Sequence, residues 1–285
     1  MKQAMYYEKL DEGNVRCCLC PHGCILPVGR TGVCLARKNI DGELYSLNYG
    51  RVASIALDPV EKKPLFHFHP GKLILSAGTF GCNFKCGYCQ NWSISQTEAQ
   101  TTDIAPERLA ELAQKYVYKG NIGVAYTYNE PSIWYEYVLE TSKLVKKNGL
   151  VNVLVTNGFI NKKPMEELLP YIDAMNIDVK AYTEEFYKKY CKGSLKNVKE
   201  TVEMAAERCH VEITTLVIPG LNDNPEEIGA LAKWLSAISP DIVLHLTRFF
   251  PNYKMNDIQP TPVETIVSAR ESALRYLRNV YPGNI

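Results

Sequence analysis

The sequence predicts an α/β fold: a partial (β/α)6 barrel of TIM-like form with a small Cys-rich N-terminal domain. Three observations predict it. From about residue 72 onward, short apolar β-rich runs alternate with longer amphipathic stretches, as in a parallel sheet covered by helices. Six such units occur, and a closed barrel of this kind needs about eight, so the barrel should be open along one side. Residues 1–71 are instead rich in Gly, Pro and Cys and lack a long helical period. The boundary is therefore expected near residue 71, with the barrel spanning 72–285.

The strands are read, in order, as KLILSAG (72–78), IGVAYTY (122–128), VNVLVTN (151–157), AMNIDVK (174–180), VEITTLVI (211–218) and IVLHLTR (242–248). Helix start signals lie between them. Pro106 opens one helix after Asp103, Ser132 caps another that runs to Gly149, and Asn197 precedes a third. Asn224 with Pro225 at the first helical position opens a fourth. A last helix is expected from Val263 to Val280. In parallel α/β folds the chemistry collects at the C-terminal ends of the strands.

The bulk properties narrow the function classes. The net charge of +1 over 285 residues gives no reason to expect nucleic acid or an anionic membrane as a partner. The N-terminus has no apolar signal core, and no stretch approaches the ~18 apolar residues of a membrane span. The chain is thus expected in the cytoplasm. There, ten cysteines suggest metal ligands rather than disulfides. Five lie between Cys17 and Cys34, three between Cys82 and Cys89, and only Cys191 and Cys209 fall elsewhere.

After the first barrel strand comes Gly81-Cys82-Asn-Phe-Lys-Cys86-Gly-Tyr88-Cys89. Three thiolates spaced C-x3-C-x2-C can wrap an iron–sulfur cube, which ordinarily takes four. With no fourth cysteine nearby in sequence, one iron stays open, the mark of a catalytic metal site. A zinc site completed by a distant ligand is the structural alternative. Polar groups end the next strands: Asn129-Glu130-Pro131, Thr156-Asn157-Gly158, and Asp178 with Lys180. Each has a plainer reading, namely a helix start favouring Glu, an Asn-Gly turn and a solvated rim ion pair. Cys191 reads as an inert loop cysteine and Cys209 as packing. His245 and Arg248, like Val217–Gly220, could face a ligand, although a lone His after a strand is more often structural.

Cys17, Cys20, Cys24 and Cys34 supply four more thiolates, with Cys18 left over and His22 able to replace one. A structural zinc ion would staple a segment too poor in apolar residues to order itself. A second [4Fe-4S] cluster would use the same ligands and could relay electrons.

The C-x3-C-x-aromatic-C loop, with Tyr88 as the aromatic, resembles that of radical S-adenosylmethionine enzymes. The Glu-Pro of Tyr128-Asn129-Glu130-Pro131 resembles the Gly-Gly-Glu-Pro of glycyl-radical-enzyme activases, with Tyr-Asn in place of Gly-Gly, and Asp178-x-Lys180 resembles their Asp-x-Lys. Nearly the whole chain resembles the radical enzymes of the AmmeMemoRadiSam system, often described as pyruvate formate-lyase activating enzyme homologues. That resemblance includes Cys17–His22, Asp58–Leu65, Phe66–Gly71 and Arg248–Lys254.

The resemblance implies a radical S-adenosylmethionine type of partial barrel. It implies that Cys82, Cys86 and Cys89 hold a [4Fe-4S] cluster whose open iron chelates S-adenosylmethionine. Tyr88 would lie near the adenine, Glu130 at the ammonium, Thr156 and Asn157 at the ribose, and Asp178 and Lys180 at the carboxylate and ribose, with Asn129 a further cofactor-binding residue. Reductive cleavage would give a 5′-deoxyadenosyl radical that abstracts hydrogen from a protein substrate, in the manner of an activase. The implied partners are an electron donor such as flavodoxin or ferredoxin and the two other proteins of the AmmeMemoRadiSam system. Radical modification of a small molecule or another side chain is the alternative. A non-catalytic metal-binding protein would not need Glu130 and the other strand-end groups.

Overall fold

A computed structural model describes residues 1–285. Its centre is an eight-stranded sheet. The strands are β1 (Ser54–Pro59), β2 (Leu73–Gly78), β3 (Asn121–Tyr126), β4 (Val151–Thr156), β5 (Ala174–Asp178), β6 (His210–Val217), β7 (Val243–Arg248) and β8 (Asn279–Gly283). They lie side by side in sequence order. Neighbours from β2 to β8 are parallel, and β1 pairs antiparallel with β2. The six expected strands are all present. Residues following β2 and β3 line one cavity together with residues following β8, so the sheet curls, while β1 and β8 remain its unpaired edges.

Two features at the edges differ from expectation. The last helix stops at Leu274, and Val280 lies in a seventh parallel strand. Asn-Val-Tyr-Pro-Gly is a poor helix sequence but suits an edge strand, where Pro282 lacks only a donor that an edge does not need. At the other edge, Ser54–Pro59 lies on the N-terminal side of the expected boundary, yet it adds an antiparallel strand to the central sheet.

The covering helices are α1 (Pro106–Lys115), α2 (Tyr135–Lys147), α3 (Lys162–Leu168), α4 (Leu195–Ala206), α5 (Pro225–Ile238) and α6 (Val263–Leu274). In α5, Asn224 Oδ1 accepts the Glu226 N–H at 2.9 Å and Pro225 follows as the first helical residue. Ile228, Leu231, Ala232 and Leu235 form its buried stripe, the i, i+3, i+4, i+7 spacing of one helix face. Ser132 is not the cap before α2. Glu130 is, because its carboxylate accepts the Ser132 N–H. Likewise α4 starts at Leu195, so Asn197 sits in its first turn. No helix is long and apolar enough to cross a membrane.

Residues 1–53 form short antiparallel strands against the α2 side of the barrel. The buried Arg37 guanidinium ties them down. Both oxygens of Glu136, on α2, accept its Nη2 at 2.8 Å. The Met5 N–H donates to the same carboxylate at 2.7 Å.

Side chains alternate across each strand, so Glu212, Thr214 and Leu216 of β6 point into the barrel in successive layers. Glu212 is the deepest and fully buried. Its carboxylate accepts the Phe66 and His67 N–H groups at 2.9 and 2.7 Å, with His210 at 2.9 Å and His245 at 2.6 Å. The Asn176 amide donates to the Pro64 carbonyl at 2.8 Å. The Lys62–His67 segment is thereby pinned under the cavity as its floor. Burial pushes the Glu212 carboxyl up, but the four donors outweigh it and hold it at about 2.

The Glu212→Gln variant should therefore lose on the order of 3 kcal/mol, because an amide turns an N–H toward donors that need an acceptor. The carboxylate's share of stability is complete above its ordinary value of 4.5 and disappears as pH falls toward about 2. Melting temperatures of wild type and variant should differ near neutral pH and converge in acid. Equal melting near neutral pH would rule the floor contact out as a stabilising one.

Candidate active site

A cavity of about 440 Å³ opens at the C-terminal ends of the strands. Its walls come from successive strand ends: Cys82, Cys86 and Cys89 after β2, Thr127–Glu130 after β3, Thr156 and Asn157 at the end of β4, and Asp178 and Lys180 at the end of β5. Thr214, Leu216, Thr247 and Asn284 complete it. No three His, Cys, Asp or Glu side chains already stand as ligands around one ion. The three thiols instead open onto shared space, as they would around a body larger than an ion.

Glycines and amides position the cysteine loop. Gly81 has φ +89°, and a Cβ there would fall 2.2 Å from the Cys34 carbonyl oxygen. Only glycine satisfies both conditions. Asn83 is the hub of the loop. Its amide donates to the Phe159 carbonyl at 2.7 Å and its Oδ1 accepts from Asn157 Nδ2 at 2.8 Å. Its carbonyl accepts from His22 Nε2 at 2.7 Å. Farther along, Met255 packs over Gly87 and the Lys254 N–H donates to the Gly87 carbonyl at 2.9 Å.

Burial pushes the Cys82 and Cys89 thiols up, the Glu130 charge adding to the effect at Cys82. Cys86 differs. A hydrogen bond from Cys191 lowers it and favours its thiolate. Cys191 is packed against the cluster loop rather than standing apart from it. It is fully buried, stands 3.3 Å from the Tyr88 hydroxyl, and its carbonyl accepts the Lys85 N–H. It ends a π-helical turn, Tyr187–Cys191, a local distortion often found near functional sites. The sequence separation of Cys191 from the triplet hid this contact.

Glu130 is buried and accepts three hydrogen bonds: Ser132 N at 2.9 Å, Thr156 Oγ1 at 2.7 Å and Asn157 N at 2.7 Å. It therefore both caps the turn before α2 and fastens β3 to β4. Burial still raises its carboxyl above the ordinary value despite these donors. Lys180 Nζ and Asp178 Oδ2 pair at 2.8 Å, both largely shielded and not on a solvated rim. Burial opposes the charge of Lys180, but Asp178 and Cys86 outweigh it and hold the ammonium charged.

The Radical SAM superfamily model matches residues 77–235, more than half of the chain. The chain belongs to the radical SAM superfamily. An uncharacterized protein of Methanocaldococcus jannaschii is 44% identical to this radical SAM protein over 291 aligned residues, covering 100% of this chain and 86% of that one. A putative glycyl-radical enzyme activating enzyme of the same organism is 30% identical over 208 residues, covering 71% and 77%. A solved radical SAM methyltransferase from Sphaerobacter thermophilus superposes with a TM-score of 0.59 at 13% identity, covering 75% of this chain and 67% of that one, a likeness of fold. Membership in the superfamily implies a [4Fe-4S] cluster and S-adenosylmethionine as cofactors.

Ten of the barrel residues singled out from the sequence line this one cavity: Cys82, Cys86, Tyr88, Cys89, Asn129, Glu130, Thr156, Asn157, Asp178 and Lys180. His245 does not; it bonds Glu212 in the floor. Arg248 donates to the Thr261 carbonyl instead. Sequence reasoning missed the Lys62–Pro64 floor, Tyr128 and the inward layer of Asn176, Thr214 and Thr247. The strand period marks that layer, since Asn176 and Thr214 share a parity with Asp178 and Leu216.

Gly81→Ala should cost at least about 2 kcal/mol through left-handed backbone strain and the Cys34 clash together. Thermal unfolding of the variant checks this. A melting temperature equal to wild type would show that the loop can move away from Cys34.

Proposed function

We propose that Cys82, Cys86 and Cys89 ligate the [4Fe-4S] cluster, and that the protein cleaves S-adenosylmethionine reductively to take a hydrogen atom from a protein substrate. The observation that carries this reading is the convergence of the three thiols, Glu130 and the Asp178–Lys180 pair on one cavity. The donor set suits a cube, since three thiols face common space and no fourth cysteine of the loop competes for the remaining iron. Bound there, the cluster would supply the electron that breaks the sulfonium C–S bond. Glu130 would take the cofactor's ammonium on its remaining lone pairs, a charge-assisted bond strengthened by exclusion of water. Lys180, held charged by Asp178, would face the carboxylate. Thr156, Asn157 and Asn129 would meet the ribose and amino end, and Tyr88 the adenine.

The relative named as a putative glycyl-radical enzyme activating enzyme supports an activase-like reaction on a protein. The run of motifs over nearly the whole chain supports assignment to the AmmeMemoRadiSam system, with its companion proteins as partners and a flavodoxin or ferredoxin as electron donor. A reaction on a small molecule or on another side chain is the second reading. Tyr128 favours it, because its ring lines the cavity wall where the activase-like pattern has glycine. The thiols of Cys17, Cys20, Cys24 and Cys34 are proposed as a second metal centre, zinc or a second cluster.

Cys82→Ala, Cys86→Ala and Cys89→Ala should each abolish formation of 5′-deoxyadenosine in anaerobic assays with a reductant, because the cube is left underligated. A variant lacking all three that still forms it would end the proposal. A glycyl radical signal on a partner protein would select the first substrate reading over the second.

Glu130→Gln should weaken S-adenosylmethionine binding about tenfold or more, the charge-assisted bond being worth roughly 1.5–3 kcal/mol. Calorimetric titration of the reconstituted protein reads it. Unchanged affinity would leave Glu130 as a helix cap alone.

A further inference from the structure

We infer that Cys17, Cys20, Cys24 and Cys34 hold a single zinc ion, and that this ion fixes the Cys82–Cys89 loop through His22 as a positioning residue. The inference rests on the second-metal reading above, and it chooses between that reading's two alternatives.

The first argument is size. The four thiols, with Arg37, wall a void of about 10 Å³, room for about one water-sized body. That size favours a single ion over an iron–sulfur cube. Ligating geometry is not already closed, so binding would draw the sulfurs together.

The second argument is an orphaned donor. Arg37 is 99% buried, and its Nη atoms are spent on Glu136 and the Met5 carbonyl. Its Nε–H is buried with no partner. A buried donor left this way costs about 1–3 kcal/mol, and the polar side chains that line the void beside Arg37 are the four thiols, the rest of the lining being apolar. Metal-bound thiolates are anionic acceptors, and outer donors of this kind orient and stabilise metal sites. Four thiolates around a divalent cation carry a net negative charge, and Arg37 is the cation beside them.

The third argument links the centre to the cavity. Cys20-Pro-His22-Gly-Cys24 is a tight turn whose two ends would both be ligands. The imidazole between them lies outside the void. The Asn83 carbonyl can only accept, so His22 Nε2 donates its proton there at 2.7 Å, next to Cys82. The ring also packs edge-on against Phe159 at 5.1 Å. On either side, the Cys34 carbonyl abuts Gly81, and the Leu19 and Cys18 carbonyls accept the Asn161 N–H and Nδ2 at 3.0 and 2.7 Å. A fixed turn would hold the cluster loop at Asn83, whereas a loose one would release it.

The test uses the full chain purified without oxygen. Elemental analysis should give about one zinc per chain beside about four irons, and cobalt exchange should yield the visible absorption of a tetrahedral thiolate site. About eight irons with no zinc would overturn the assignment. Cys20→Ser should lose the zinc and lower soluble yield. Because that variant can fail to fold, His22→Ala carries the second arm. It should keep its zinc yet release cluster iron to a chelator about tenfold faster than wild type. The spin-resonance spectrum of its reduced cluster should also change. His22→Gln, which can still donate to Asn83, should restore both. Iron release from His22→Ala at the wild-type rate would overturn the positioning role. A zinc-loaded, iron-loaded wild type that fails to cleave S-adenosylmethionine would instead remove the proposed activity and leave the zinc assignment standing.

Discussion

The position of the cysteine loop depends on one close contact, the packing of Gly81 beneath the Cys34 carbonyl. A backbone at φ +89° with a carbonyl 2.2 Å from its missing Cβ admits no other residue. The contact joins the two parts of the chain just before Cys82. Residues 1–53 therefore pack directly behind the cysteine loop. The Arg37–Glu136 pair anchors the same layer to α2 from the opposite side. Removing one partner of a buried pair of this kind strands a charge at about 3–5 kcal/mol. That layer is held both next to the cysteine loop and away from it.

Two buried carboxylates show how the barrel divides structure from chemistry. Glu212 in the floor and Glu130 at the mouth are both deeply buried, and each collects several donors. At Glu212 four donors, two of them imidazoles, outweigh burial, and the carboxyl is held at about 2. At Glu130 three donors do not, and the carboxyl stays above its ordinary value. The floor carboxylate is saturated and needs nothing further. The mouth carboxylate is short of positive charge and faces a cavity. The sign of that imbalance suits a cationic ligand at Glu130 and leaves Glu212 as a structural rivet.

Much of this was legible in the sequence because barrel strands and their polar ends are local signals. The six β-rich runs carry their own apolar pattern, and Asn224-Pro225 announces a helix start within two residues. The features that escaped depend on tertiary pairing. Asn-Val-Tyr-Pro-Gly becomes a strand only because β7 has a free edge, and Ser54–Pro59 joins the sheet only because β2 has one. Cys191 sits over a hundred residues from Cys86, and no spacing rule links them. His245 has the sequence context of a strand-end ligand, and only the register of Glu212 turns it into a floor residue.

Tyr128 shows how a departure from a motif is accommodated. Its φ of +72° is one that glycine adopts freely and tyrosine rarely does, so the Gly-Gly-Glu-Pro pattern has a backbone reason at this position. The strain persists because the side chain is held from several directions. Its hydroxyl donates to Asp58 at 2.7 Å, and the Lys63 ammonium lies 4.7 Å from its ring. Asp58 and Lys63 are themselves paired at 2.8 Å. Room for the ring comes from the neighbouring strand. A Cβ on Gly78 would meet the Thr127 carbonyl at 2.4 Å and the Tyr128 side chain at 3.1 Å. Glycine is thus required at the end of β2, and Asp58 and Lys63 tie the Asp58–Leu65 segment to the Tyr-Asn-Glu-Pro turn. The floor segment and the mouth of the cavity are coupled through one strained aromatic residue.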